Sequence, residues 1–195
     1  MLVDRINRSR MRAEYMRFPR YGKSSAWLIE RYLSGDETLD RSPWASSLYY
    51  LVDRLNAAFE IRQRLAAGVH VVADRYTASN AGHQGGRIAL LTERIKFFEW
   101  LWELEFETFN IPKPTINVLL SMPADISMRL MRERDRKPDA HEIDAKHLAA
   151  AAQSYQQVAR TFPDDFLIIE CTRGERVLSP EAIHVDLWGR LLSYF

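Results

Sequence analysis

Four short segments rich in β-branched and apolar residues, 13–18, 69–73, 116–121 and 166–171, punctuate this chain, and long stretches with helical periodicity separate them. Runs such as Val118-Leu119-Leu120 and Leu167-Ile168-Ile169 lack the polar alternation of a half-exposed strand, so they suit strands covered on both faces by helices. Strands that alternate with helices predict an α/β fold built on a parallel sheet, a three-layer arrangement. No internal repeat, low-complexity tract or Gly/Ser-rich linker interrupts the pattern, and 195 residues suit one domain, taken as 1–195.

Composition excludes several classes. The 27 basic and 26 acidic side chains leave a net charge of +1, which gives no overall field for nucleic acid or an anionic membrane; neither is expected as a partner. No segment is long and uncharged enough to span a bilayer, and charges follow Met1 too soon for a signal peptide. The single cysteine, Cys171, can form no internal disulfide, which fits a reducing, cytoplasmic location.

Two helices invite closer reading. Over 45–65, Leu48, Leu51, Val52, Leu55 and Phe59 recur at helical spacing and predict one core stripe, with Gly68 as the stop. Tyr50 and Arg54, four apart, share another face, either a solvated one or the wall of a cleft. Around 97–109, Phe97, Leu101 and Leu104 form one stripe and Phe98, Trp102, Phe106 and Phe109 a second. Such a helix is either buried within its own subunit or sits at a homodimer interface with Phe98 and Trp102 near the two-fold axis.

Parallel sheets bind ligands beyond the carboxyl ends of their strands. The second strand runs into Asp74-Arg75-Tyr76, where an aspartate can hold a magnesium-bound water and an arginine can clamp phosphate in a two-point fork. The plain alternative is a polar loop with Asp74 as a helix cap. The first strand ends in Met16-Arg17-Phe18-Pro19-Arg20-Tyr21-Gly22, a turn at the same sheet edge. After Pro123 a helix runs to the basic stretch 131–137, which is either a solvated helix end or a set of cations for a polyphosphate.

Phe18-Pro19-Arg20-Tyr21-Gly22, Asp74-Arg75-Tyr76 followed by Ser79 to Gly85, and Phe98-Glu99-Trp100-Leu101, in this order and spacing, resemble the thymidylate kinase family. Residues 139–144 and the following helix with Tyr155 resemble its lid and post-lid helix, so 132–144 is expected to be the lid. The resemblance implies a nucleoside-monophosphate-kinase-like fold, ATP as co-substrate, Mg2+ as cofactor, a homodimer, and transfer of the γ-phosphoryl of ATP to dTMP to give ADP and dTDP. It implies that Tyr50, where the family usually has phenylalanine, stacks on thymine while Arg54 bonds a base carbonyl and Asn80 reads the ring nitrogen edge. Arg75 and Tyr21 would hold the 5′-phosphate, and Phe18 would wall the pocket. His83 would crowd the sugar against a ribonucleotide, with Gln84 near the base. Asp74 would support magnesium through water, and Arg132, Arg134 and Arg136 would be lid cations. A deoxynucleoside kinase and a catalytically inactive nucleotide-binding protein are the alternatives.

One family element is missing. The 195 residues contain no Gly-x-x-x-x-Gly-Lys followed by Ser or Thr, the loop that cradles the ATP phosphates. Residues 2–6 look like the second half of the helix that follows such a loop, so the chain is expected to begin inside the fold, through a wrong start or a gene fragment. The strand before that loop is central in the family, so the four strands found here are expected to flank a gap. Poor folding, weak dTMP binding and little catalysis are the expectations for the chain as written.

Overall fold

The computed structural model describes residues 1–132 and 145–195, with side chains over 1–130 and 146–195. In chain order the main elements are α1 (Leu2–Arg8), β1 (Arg12–Arg17), α2 (Trp27–Leu33), α3 (Pro43–Ala66), β2 (Val69–Asp74), α4 (Thr77–His83) and α5 (Leu91–Trp102). There follow β3 (Asn117–Ser121), α6 (Ala124–Arg132), α7 (Ala145–Thr161), β4 (Phe166–Glu170), a small hairpin of β5 (Thr172–Arg173) and β6 (Arg176–Val177), and α8 (Pro180–Leu191). The four strands expected from composition are present, each within a residue or so of its expected ends. The hairpin escaped notice because two-residue strands carry no periodicity.

Local chemistry sets the boundaries. The Ser42 hydroxyl accepts from the Ala45 amide and Pro43 occupies the first turn, so α3 starts where the backbone donors are otherwise unmet. It stops before Gly68, whose φ of +70° is the left-handed conformation that ends a helix without a Cβ penalty.

β1 and β2 pair in parallel, from Arg12 opposite Val69 to Arg17 opposite Asp74. β3 and β4 also pair in parallel, from Asn117 opposite Phe166 to Ser121 opposite Glu170. Among the described residues no strand joins the two ladders. Between the free edges of β2 and β3 lies an open trough of about 1020 Å³, walled by His70 to Ala73 and by Asn117 to Ser121 and floored in part by Ile6, Leu187 and Leu191. The expected gap is therefore present, with backbone groups on both rims that lack a strand partner among the described residues.

Packing corrects one expectation and settles another. Of the stripe on α3 only Leu51 is buried, while Leu48, Val52, Leu55 and Phe59 are exposed, Phe59 by 68%. The buried face of α3 is instead Ser46, Ser47, Asp53, Arg54, Ala57, Ala58 and Ile61, a polar and small-residue face that hydropathy alone cannot find. The aromatic helix has the opposite fate. Phe97, Phe98 and Leu101 are 0% exposed and Trp102 7%, in one core with Met16, Phe18, Leu51, Tyr76, Phe106 and Val158. Phe98 and Trp102 are thus packed inside the subunit, which is the first of the two readings, and offer no surface for a partner. α7 closes the other side: Ser154 Oγ donates to the Ala81 carbonyl at 2.6 Å, and the Tyr155 ring lies so close to Gly82 that a Cβ there would sit 2.3 Å from it.

Candidate functional site

The carboxyl ends of β1 and β2 deliver two loops to one place. The Phe18 amide donates to the Asp74 carbonyl at 2.9 Å, which carries the ladder one residue past the strands. The chain then turns through a cis Phe18–Pro19 bond, with the Phe18 ring edge-on to Tyr76 at 5.3 Å. Arg20 fastens this loop to α3. Its backbone amide and Nε donate to the two oxygens of buried Asp53 at 2.8 and 2.9 Å, and its Nη2 donates to the Asp53 carbonyl and to Asn56 Oδ1. Ser25 Oγ adds a third bond to the Asp53 carboxylate at 2.7 Å. An arginine at a strand end, which by type alone suits phosphate, is here a structural clamp.

Arg75 follows β2 with φ of +63°, a left-handed conformation unusual for a residue with a side chain and costing on the order of 1 kcal/mol or more. It turns the backbone into α4 and leaves its guanidinium exposed, with no hydrogen-bond or ion-pair partner among the described residues. Its charge is felt by the Tyr50 and Tyr155 phenols. Asp74 does not cap α4; Tyr76 stands at the cap position. The Asp74 carboxylate accepts from Tyr15 Oη at 2.7 Å and lies 3.8 Å from Arg17 Nε, half exposed at the strand end.

From α4, the Asn80 amide nitrogen donates to the Ser47 carbonyl on α3 at 3.1 Å, and the oxygen of this 3% exposed side chain has no hydrogen-bond partner among the described residues. Buried Gln84 accepts from Arg87 Nη1 at 2.7 Å. His83 stacks on His147 with ring centres 5.6 Å apart and meets the Tyr155 ring edge-on. From α3, Arg54 lies 2% exposed with Nε and Nη2 on the carboxylate of Glu105 at 2.7 and 2.5 Å, and Thr77 Oγ1 donates to the same carboxylate at 2.7 Å. Arg54 Nη1 has no hydrogen-bond partner among the described residues. Burial pushes the Tyr50 and Tyr76 phenols well above the ordinary tyrosine range, so both stay neutral hydrogen-bonding groups near neutrality.

Phe18, Tyr50, Arg54, Arg75, Asn80, His83 and Gln84 thus line one small pocket, together with Pro19, Tyr76 and Ser79. The pocket has a cavity volume of about 30 Å³, so it is narrow in this conformation. Arg75, Tyr76, Ser79 and His83 also line the trough, so the pocket opens into it at its charged end. Tyr21 is 53% exposed and does not line the pocket, and Asp74 lines neither cavity. Arg132 ends α6, with no described side chain, while Arg134, Arg136 and the rest of the expected lid, 133–144, lie outside the described residues. Sequence reasoning missed Asp53, Thr77 and Glu105. Asp53 directly precedes Arg54 on a helix, a signal that was available; Glu105 sits in an aromatic run that draws attention to its apolar neighbours. Among the described residues no three His, Cys, Asp or Glu side chains gather to hold a metal.

Comparison with known proteins places the chain in a family. The sequence profile of the thymidylate kinase family matches residues 1–181. Thymidylate kinase of Mycobacterium tuberculosis strain H37Rv is 33% identical over 150 residues, which cover 73% of this chain and 69% of that protein. The Chromohalobacter salexigens enzyme is 32% identical over 139 residues (70% of this chain, 62% of that protein), and the Rhodopseudomonas palustris enzyme 24% over 174 residues (87% and 73%). No described helix is long and apolar enough to cross a membrane. A match over so much of the chain shows that it belongs to the thymidylate kinase family.

Proposed function

We propose that the pocket is the acceptor site of an ATP:dTMP phosphotransferase, a step of dTTP synthesis. One observation carries this reading: among the described residues a buried donor of the pocket, Arg54 Nη1, and a buried acceptor, Asn80 Oδ1, have no hydrogen-bond partner. Thymine offers the complementary pair, a carbonyl oxygen beside a ring N–H. Cytosine offers an amino group beside an unprotonated ring nitrogen, so both contacts would face like against like, and unpaired buried polar groups are the strongest basis for rejecting an analogue. Tyr50 and Phe18 supply apolar faces for the ring, Gln84 lies near the base, and His83 crowds the sugar.

The charged end suits the 5′-phosphate. Arg75 projects there without a protein partner among the described residues, and Tyr21, on the loop after β1, is the second proposed phosphate ligand. The phosphate oxygen that attacks the γ-phosphoryl group is already anionic, so no strong base is needed. Rate comes from alignment and from neutralising charge on the transferred group. Mg2+ would supply that neutralisation, with Asp74 holding one of its waters, and Arg132, Arg134 and Arg136 are the proposed lid cations. Binding the base needs the narrow pocket to widen, and Tyr50 and His83, both half-buried, line it. A cytoplasmic location follows in this reading from the lone buried Cys171.

The exposed seam Leu48, Val52, Leu55 and Phe59 on α3 supports a homodimer, because a single apolar seam on one helix is self-complementary about a two-fold axis. Sedimentation should show a dimer that Phe59→Glu dissociates; a wild-type monomer at micromolar concentration removes this assembly. For the acceptor site, calorimetric titration with dTMP, dCMP and dGMP is the test. The reading requires dTMP to bind tightest, and equal affinity for dCMP and dTMP refutes it.

A further inference from the structure

We infer that Glu105 is a positioning residue for base selection: it fixes Arg54 so that one edge of the guanidinium is used up on the protein and Nη1 alone faces the base, as a donor. The inference rests on the acceptor-site reading and deepens it. An arginine side chain with several rotatable bonds and five N–H groups is by itself a poor discriminator, because it can shift to suit many acceptors. A two-point clamp on Nε and Nη2 removes that freedom and sets the plane of the guanidinium.

Three features single out Glu105. It is 0% exposed, and its oxygens receive Nε and Nη2 of Arg54 and Oγ1 of Thr77. A buried ion pair is on average no more stabilising than well-packed apolar side chains, so stability alone is a weak reason for one inside an otherwise aromatic core. Its backbone is also irregular. α5 widens at its end into a π-helical turn, Glu103–Thr108, in which the Phe109 amide donates to the Leu104 carbonyl and the Ile111 amide to the Glu105 carbonyl. Such turns re-aim side chains and recur at functional sites. The bond to Thr77 then ties Glu105 to the first residue of α4, the helix that carries Asn80. One carboxylate therefore sets the base donor directly and is joined to the helix bearing the acceptor.

Charge gives Glu105 a second effect. Paired with it, Arg54 brings no net charge to the base end, so Arg75, exposed and without a partner among the described residues, is the preferred place for a phosphate. Without the carboxylate, Arg54 becomes a second buried cation and competes for the anion, which would favour a nucleotide bound the wrong way round.

The test compares the full chain with Glu105→Gln, which keeps the shape, and Thr77→Val, which removes one bond. Each is titrated with dTMP, dCMP and inorganic phosphate, with thermal unfolding alongside. Glu105→Gln should lower the preference for dTMP over dCMP at least tenfold while phosphate binds as well as or better than to wild type. Thr77→Val should lower the preference about threefold. Retained preference in Glu105→Gln overturns the inference. So does an equal loss of dTMP, dCMP and phosphate together with a lowered melting temperature, the result of a merely structural role. A wild-type chain that does not distinguish dTMP from dCMP overturns the acceptor-site reading and this inference with it, and that outcome is visible before any variant is made.

Discussion

The pocket beyond β1 and the trough between β2 and β3 share Arg75, Tyr76, Ser79 and His83, yet they are built on opposite principles. In the pocket nearly every buried polar group is engaged: Asp53 with Arg20 and Ser25, Glu105 with Arg54 and Thr77, Asn80 with Ser47, Gln84 with Arg87. The trough walls are mainly apolar, and the strand edges on its rims have no strand partner among the described residues. A site that must tell one base from another needs fixed directional atoms, which these residues supply. A site that must cradle a polyphosphate needs backbone donors and cations converging on one point, and among the described residues the trough offers strand edges and only Arg75 and Lys113 as Lys or Arg side chains. The comparison separates the proposed recognition of the acceptor, for which the pocket residues are present, from handling of the donor, for which the 195 residues contain no phosphate-binding loop.

Substitutions should reproduce that contrast. The largest effect is expected from Arg54→Ala, which strands the fully buried Glu105 carboxylate: removing one member of a buried pair costs about 3–5 kcal/mol, enough to lower the denaturant midpoint sharply. A loss under about 1 kcal/mol would mean that the pair is not buried in solution. Arg75→Ala should leave the unfolding curve almost unchanged, because the side chain is exposed and unpaired among the described residues. It should weaken dTMP binding by about 1.5–3 kcal/mol, roughly ten- to hundredfold, through loss of charge-assisted bonds to the phosphate. Unchanged affinity would move the phosphate site elsewhere.

Tyr50 gives a pH signature. Burial raises its pKa above the ordinary 10.0, so the folded chain holds the proton that the unfolded chain releases. That stabilisation is complete below about pH 10 and declines as pH rises toward the folded value. Tyr76 and Tyr155 shift the same way, so Tyr50→Phe should soften the alkaline loss without abolishing it. An identical alkaline profile for wild type and variant would place the Tyr50 phenol in solvent. The smallest effect is expected in the trough: Leu120 is 54% exposed there, and Leu120→Ser should change stability by less than about 0.5 kcal/mol. A loss of 2 kcal/mol or more would show that the trough is covered in solution.

Much of this was legible in the residues. Strands announced themselves through β-branched runs, the ends of β1 and β2 through Pro, Gly and Asp-Arg, and the split of the sheet through the absent loop. Burial was legible only where one physical effect acts. On α3 the apolar stripe faces outward because the polar face, Asp53 and Arg54, is consumed by Arg20 and Glu105, distant partners that no local period reveals. On α5 and the turn after it both aromatic stripes turn inward except at Phe109, which is 41% exposed, because the core wraps the helix, packing Trp44 against Phe97 on one side and Phe162 against Trp102 on the other. Arg20 has the residue type of a phosphate ligand and the role of a clamp, a difference visible only once Asp53 stands beside it. The sequence also leads one to expect weak dTMP binding. The engaged polar network of the pocket is the physical reason to expect that binding to survive.

The central claim, that recognition and donor handling are separable in these 195 residues, is tested most directly by titrating dTMP and ATP with Mg2+ separately into the purified polypeptide, followed by a coupled assay for ADP release with both present. The account predicts saturable dTMP binding, no saturable ATP binding and no dTMP-dependent ADP release above background. Saturable ATP binding with dTMP-dependent turnover would contradict it, and would show that the walls of the trough already form a phosphate cradle.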